Sequence, residues 1–209
     1  MLTSGGPIYL DPSQRKQASE VLLRAFLDDV VYKYVFPDLE ERTQSLRRHW
    51  NAVVEYSLVF GEVYTTPTLC GVACWLPSGK LLAALWALVC TRFAPYRAML
   101  SFSKEARERM VALARYTDEV KKRAAPEPHW SLGLLGVDPA CQGQGIGTKL
   151  LQDGLAMCDA KGLPCYLETG TESNVHFYEK HGFTVVNEGE MPGHGPKIWA
   201  MLRLKGHNV

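Results

Sequence analysis

The stretch Gly136-Val137-Asp138-Pro139-Ala140-Cys141-Gln142-Gly143-Gln144-Gly145-Ile146-Gly147-Thr148 decides how this chain is read. An apolar run, Leu132 to Val137, precedes it and has the length and composition of a buried strand. Asp138-Pro139 breaks that strand, and three glycines follow at alternate positions. A helical repeat then begins at once, with Leu150, Leu151, Leu155 and Cys158 on one face, and Gly162 and Pro164 close it. Glycines at the head of a helix leave successive N–H groups uncovered, where the helix dipole is positive and anions bind. The pattern therefore predicts a phosphate or pyrophosphate ligand. An ordinary glycine-rich turn from strand to helix is the plainer alternative.

Register excludes two familiar phosphate loops. A P-loop ends in Gly-Lys-Ser/Thr, whereas here the order is Gly147-Thr148-Lys149. A dinucleotide fingerprint needs its third glycine five residues after the first, and from Gly143 that position is Thr148. The element Gln142-Gly143-x-Gly145-x-Gly147 resembles the Q/R-x-x-G-x-G/A signature of the GNAT superfamily of N-acetyltransferases. Further along, Phe177-Tyr178-Glu179-Lys180-His181-Gly182-Phe183 resembles that family's F-Y-x-x-x-G-F element. The wording of His129–Val137, Tyr166–Thr169 and Gly195–Arg203 is similar to the puromycin-type small-amine acetyltransferases within the superfamily. The resemblance spans His129 to Leu204, and the N-terminal half shares only the general pattern.

The resemblance implies an α/β fold, a GNAT-type mixed and mostly antiparallel sheet of six or seven strands with helices on both faces. It implies acetyl-CoA as cosubstrate, no metal, and direct transfer to the amine of a small molecule in a ternary complex. Its loop residues would be Leu135, Gly136, Val137, Gln142, Gly143, Gln144, Gly145, Ile146, Gly147 and Thr148. Acetylation of a protein or peptide amine, and non-catalytic sensing of acyl-CoA, are the rival readings.

Amide formation from a thioester makes three demands: a deprotonated amine, a stabilised oxyanion and a protonated leaving thiolate. The resemblance assigns Glu168 as the base acting through water, the backbone N–H of Val137 to the oxyanion, and Tyr178 as the acid. It also implies a local bulge that Gly136 permits, and puts Phe177 facing the core. Glu168 otherwise reads as a strand-end carboxylate pairing with a cation. Ser173 or Asn174 caps the short helix before Gly182, and Asn174 reads equally as a ligand of the cofactor's arm. On the acceptor side, Asp28 and Asp29 lie among Phe26, Tyr32, Tyr34 and Phe36, a setting that suits a cationic amine. Trp75 and Trp86 are candidate walls of that pocket.

At 209 residues and a net charge of +1, the chain is read as one domain with no footprint for nucleic acid or an anionic membrane. Its six cysteines form no C-x-x-C pair and its six histidines no metal-spaced cluster. Cys141, beside the loop, reads as filler rather than nucleophile, since no histidine is placed to activate it. With no basic, apolar leader at its start, the chain is expected in the cytoplasm. Leu81 to Thr91, uncharged and apolar, is too short to span a bilayer and reads as a buried helix or a lid over the substrate pocket. Helices are expected over Pro12–Phe26, Leu39–Phe60, Lys80–Cys90 and Ser103–Arg123, and a hairpin over Glu62–Leu76. GNAT members often pair as homodimers, but no stretch here marks an interface.

Overall fold

Aspartate side chains cap three of the N-terminal helical elements, at Asp11, Asp29 and Asp38. The computed structural model describes residues 8–126, 128–191 and 193–205. Strand β1 (Ile8–Tyr9) leads through a 3-10 turn at Pro12–Gln14 into helix α1 (Arg15–Phe26). Asp29 accepts from the Val31 N–H at 2.8 Å and starts α2 (Val30–Val35). Asp38 accepts from the Glu41 N–H at 2.7 Å and starts α3 (Leu39–Phe60), whose first turn holds Glu40 and Glu41 at the positive end of the dipole. The hairpin β2 (Glu62–Thr65) and β3 (Gly71–Pro77) follows, then α4 (Leu81–Cys90), α5 (Ala94–Leu100) and α6 (Lys104–Ala124). The C-terminal half runs β4 (Trp130–Val137), α7 (Ile146–Ala160), β5 (Cys165–Thr169), α8 (Glu172–Glu179), β6 (Thr184–Glu190) and β7 (Lys197–Arg203).

The seven strands form one sheet in the order β1-β2-β3-β4-β5-β7-β6. Every neighbour is antiparallel except β4 and β5. That parallel pair is brief: it runs from Trp130 opposite Cys165 to Leu132 opposite Leu167, and beyond it the two strands part. At the same place β4 bulges. Cys74 faces Leu134 and Trp75 faces Leu132, so Gly133 has no partner on β3. One extra residue inverts the alternation of side chains. Trp130 and Leu132 pack with α7 on one face, Leu134 goes to the face covered by α1 and α3, and Leu135 returns to the α7 side.

The bulge therefore sits at Gly133, three residues before the expected Gly136. Gly136 stays in regular register opposite Val72. Its missing side chain serves packing instead, since a Cβ there would lie 2.8 Å from Leu22 Cδ2 and 3.1 Å from the Phe26 ring. The Asp28–Phe36 stretch, to which the sequence assigned no element, contains the helix α2. Two further expectations change. The region from Lys80 to Arg123 holds three helices rather than two, because α5 follows α4. Helix α8 begins at Glu172 with Thr171 in the cap position, so neither Ser173 nor Asn174 caps it. Gly182 takes the left-handed φ of +83° expected just beyond that helix. The long helices, the hairpin and the mostly antiparallel mixed sheet agree with the sequence reading.

Candidate active site

Where β4 and β5 part, the sheet opens into a slot. Hydrogen bonding alternates along an antiparallel pair, and the Asp138 N–H bonds the Cys70 carbonyl at 2.8 Å. Counting back from that pair, Gly136 and Leu134 face β3, whereas the N–H and C=O of Val137 and Leu135 point to the β5 side. The Val137 carbonyl accepts from Gln142 Nε2 at 3.2 Å. The signature glutamine thus pins the loop to the free edge of β4.

The loop itself has the form the sequence predicted. Asp138 fixes its start by accepting from the Ala140 N–H at 3.1 Å and by pairing with Arg24, 2.6 Å away at the guanidinium. That arginine holds the Asp138 carboxyl below its usual range. Gly143 and Gly145 have φ of +75° and +77°, and a Cβ on either would meet nothing within 4 Å. Their requirement is conformational, since the left-handed region costs other residues about 1–2 kcal/mol. Gly145 is the N-cap of α7, and its carbonyl accepts from the Lys149 N–H at 3.0 Å. The N–H groups of Ile146, Gly147 and Thr148 precede that first helical bond and are the groups a pyrophosphate needs. Gly147 has Val137 Cγ2 and the Phe177 ring as its nearest side chains, at 3.6 and 4.0 Å from a Cβ built there. Loop, dipole and open edge together fit the pyrophosphate of a CoA thioester. Cys141 is no nucleophile in this arrangement. Its thiol donates to Cys70 Sγ at 2.6 Å, a contact that pushes its pKa up to about 11.

A cavity of about 260 Å³ occupies the slot. It is lined from one face of the sheet by Asn174 and Tyr178 of α8, and from the other by Met110, Leu113, Ala114 and Thr117 of α6 with Asp29 and Tyr32. The cavity therefore passes through the sheet and connects the loop side with the α2/α6 side. Of the two residues with open amides on this edge, Leu135 lines the cavity together with Glu168 and Tyr178, and Val137 is outside the lining.

Glu168 reaches the cavity from β5, on the α6 side of the sheet. It accepts from the Tyr166 hydroxyl at 2.8 Å. Burial raises its pKa, against the smaller pull of Lys121 and of the Tyr166 bond. Tyr178 enters from the opposite face. Its ring is buried between Phe177 and Phe183, with centroids 5.1 and 5.8 Å away, and burial raises its phenol pKa. Phe177, read as the core-facing neighbour, is the less buried of the two and turns towards Gly147. Asn174 donates to Thr169 Oγ1 at 3.1 Å and lines the cavity.

On the acceptor side the expectations divide. Phe26, Asp29 and Tyr32 line the cavity, and burial lifts the Asp29 carboxyl above its ordinary pKa in spite of its bonds to the Val31 and Tyr32 amides. Burial first, then the negative charges of Asp29 and Glu168, raise the Tyr32 phenol, which places these groups within electrostatic reach of one another. Asp28 lies outside the cavity lining, exposed and paired with Lys33 at 2.8 Å. Trp75 is fully buried against α7, where a Cβ on Gly154 would lie 2.0 Å from its ring. It belongs to the core. Trp86 is 67 % exposed and also lies outside the cavity lining. Sequence reasoning missed Tyr166, which a two-residue strand period places on the face of Glu168, and the α6 wall, whose apolar stripe it had read only as a helix.

The sequence profile of the Acetyltransferase (GNAT) family matches residues 23–183. The chain belongs to the GNAT family. An uncharacterised N-acetyltransferase of Schizosaccharomyces pombe is 27 % identical over 178 residues, 80 % of this chain and 70 % of that relative. Among solved structures, histone acetyltransferase HPA2 and related acetyltransferase from Corynebacterium glutamicum superposes with a TM-score of 0.66 at 19 % identity, covering 99 % of each chain. The mosquito arylalkylamine N-acetyltransferase like 5b superposes with a TM-score of 0.60 at 18 % identity, over 94 % of this chain and 98 % of that one. This GNAT chain is accordingly an acyltransferase of the N-acetyltransferase class, and the family's cosubstrate is acetyl-CoA. Among the described residues no group of three or more His, Cys, Asp or Glu is arranged to hold a metal ion.

Proposed function

We propose that this chain acetylates the amine of a small molecule by direct attack within a ternary complex. The observation that carries the reading is the slot through the sheet, into which Glu168 and Tyr178 project from opposite faces. Two substrates entering from the two faces would meet there. Acetyl-CoA supplies the thioester carbonyl that the amine attacks. The amides of residues 143–148 hold its pyrophosphate, and the open N–H of Leu135 donates to the carbonyl oxygen as negative charge grows there. A backbone donor of that kind is worth about 3 kcal/mol.

Glu168 removes the amine proton, directly or through a water. Its raised pKa makes it a stronger base than an exposed carboxylate, and the Tyr166 hydroxyl holds its orientation. Tyr178 keeps its proton because burial disfavours the phenolate, so it is available to donate to the departing sulfur. Asp29, Phe26 and Tyr32 supply a carboxylate among aromatic rings, which suits a cationic or aromatic amine. The size of the cavity, about 260 Å³, favours a small acceptor over a peptide. Thiol release from acetyl-CoA across arylalkylamines, polyamines, puromycin-like and aminoglycoside amines and histone-like peptides tests the reading. Turnover with one small-amine class is expected. Turnover with peptides alone, or tight CoA binding with no acceptor, would overturn it.

A further inference from the structure

Among the described residues, eight of the sixteen exposed large hydrophobic side chains lie between Leu81 and Leu100, on and between helices α4 and α5. Leu82 is 82 % exposed, Leu81 71 % and Trp86 67 %, and Leu85, Val89, Phe93, Tyr96 and Leu100 continue the same surface. In α4 the exposed positions 81, 82, 85, 86 and 89 share one face of the helix, while Ala87 and Thr91 are buried on the other, where α4 packs on α3. Soluble surfaces rarely keep such a contiguous patch without a partner. Their exposure overturns the reading of Leu81–Thr91 as a buried helix, and none of them lines the cavity at the slot, so the lid reading does not explain them either.

The charge around the patch has one sign. Between Glu62 and Glu105 the sequence contains no acidic residue. Lys80, Arg92, Arg97 and Lys104 are all exposed around the patch, and none of them forms an ion pair among the described residues. The nearby acids of α3 are engaged elsewhere: Glu41 accepts from the Ser103 N–H at 3.1 Å, and Glu55 pairs with Arg15 at 2.9 Å. The net charge of the whole chain, +1, conceals this local excess.

From these observations we infer that the α4–α5 face docks on an anionic lipid surface. An uncharged helix lying in the interface would bury its leucines at the boundary of the acyl chains, with Trp86 at headgroup depth and the basic rim on the phosphates. A second copy fits less well. A two-fold contact through this patch would bring four unpaired cations of each protomer together with no acid to meet them.

Flotation of the full chain with vesicles tests the inference. Vesicles of phosphatidylserine and phosphatidylcholine in equal parts are compared with phosphatidylcholine alone. The chain should float with the first and remain behind with the second, and added salt should weaken the association. Leu82→Ser combined with Trp86→Ser should abolish flotation. Arg92→Gln with Arg97→Gln should weaken it by about fivefold per residue. All four positions are exposed and outside the cavity, so melting temperature and acetyl-CoA turnover should stay unchanged and certify the fold. Failure to float with either vesicle, or equal binding to both, overturns the inference. So does light scattering that finds a dimer which Trp86→Ser dissociates.

Discussion

Gly147→Ala separates the fold of the loop from its function, because stability should rise while CoA binding is kept. Gly147 lies in the first turn of α7 and has no left-handed φ. A Cβ added there would meet Val137 Cγ2 at 3.6 Å and the Phe177 ring at 4.0 Å, both ordinary contacts. The ligand-free protein should therefore accept the methyl group. Alanine is favoured over glycine within a helix by about 1 kcal/mol, which raises Tm by roughly 2–4 °C in a chain of this size. The phosphate reading demands that binding survive. Gly147 stands at the G/A position of the Q/R-x-x-G-x-G/A signature, and alanine keeps both the 147 and the 148 N–H groups that a pyrophosphate needs. Affinity for CoA should therefore change by less than about threefold. Calorimetry gives the affinity and a ligand-free thermal melt gives the stability. A tenfold or greater loss of CoA affinity in the stabilised variant would refute the placement of Gly147 at that position of a pyrophosphate loop. A lower Tm would refute the packing argument.

Three further predictions follow from the same geometry. Glu168→Gln should reduce kcat by about 10²-fold or more, and should remove an acidic limb of the wild-type profile lying above the ordinary carboxylate range. The folded state holds that proton more tightly than the unfolded chain, so ionising Glu168 costs stability as pH rises through its folded pKa; the variant should melt higher than wild type at neutral pH. Tyr178→Phe should leave CoA affinity intact and lower turnover, and weakened binding with unchanged turnover would contradict the acid role. Gly154→Ala should destabilise by about 1–3 kcal/mol in urea unfolding, since its Cβ would lie 2.0 Å from the fully buried Trp75 ring.

Much of this arrangement was legible in the chain because local chemistry fixes it. Asp38 and the two glutamates behind it start α3, and Pro37 ahead of it stops α2. The alternating glycines of residues 143–147 carry both the left-handed turns and the open helix end. Helix α2 escaped because six residues are too few to show a period, and its Tyr32 and Tyr34 look like loop aromatics. Gly133 and Gly136 are equivalent by sequence. What separates them is the close approach of Leu22 and Phe26 to Gly136, a contact between residues more than a hundred positions apart. The pairing of Arg24 with Asp138 is hidden for the same reason. Among the aromatics, Phe26 and Tyr32 line the cavity while Trp75 fills the core, and composition around them does not distinguish these fates. Asp28 and Asp29 are adjacent and go opposite ways, because only Asp29 is turned inward as the cap of α2.

The most direct test of the central claim is a crystal structure of the chain with CoA and an acceptor amine. The account predicts the pyrophosphate on the amides of residues 143–148 and the arm of the cofactor between β4 and β5. The sulfur should lie within about 3.5 Å of the Tyr178 hydroxyl, with the amine on the Glu168 side. A cofactor bound outside the slot, or a sulfur remote from Tyr178, would contradict it.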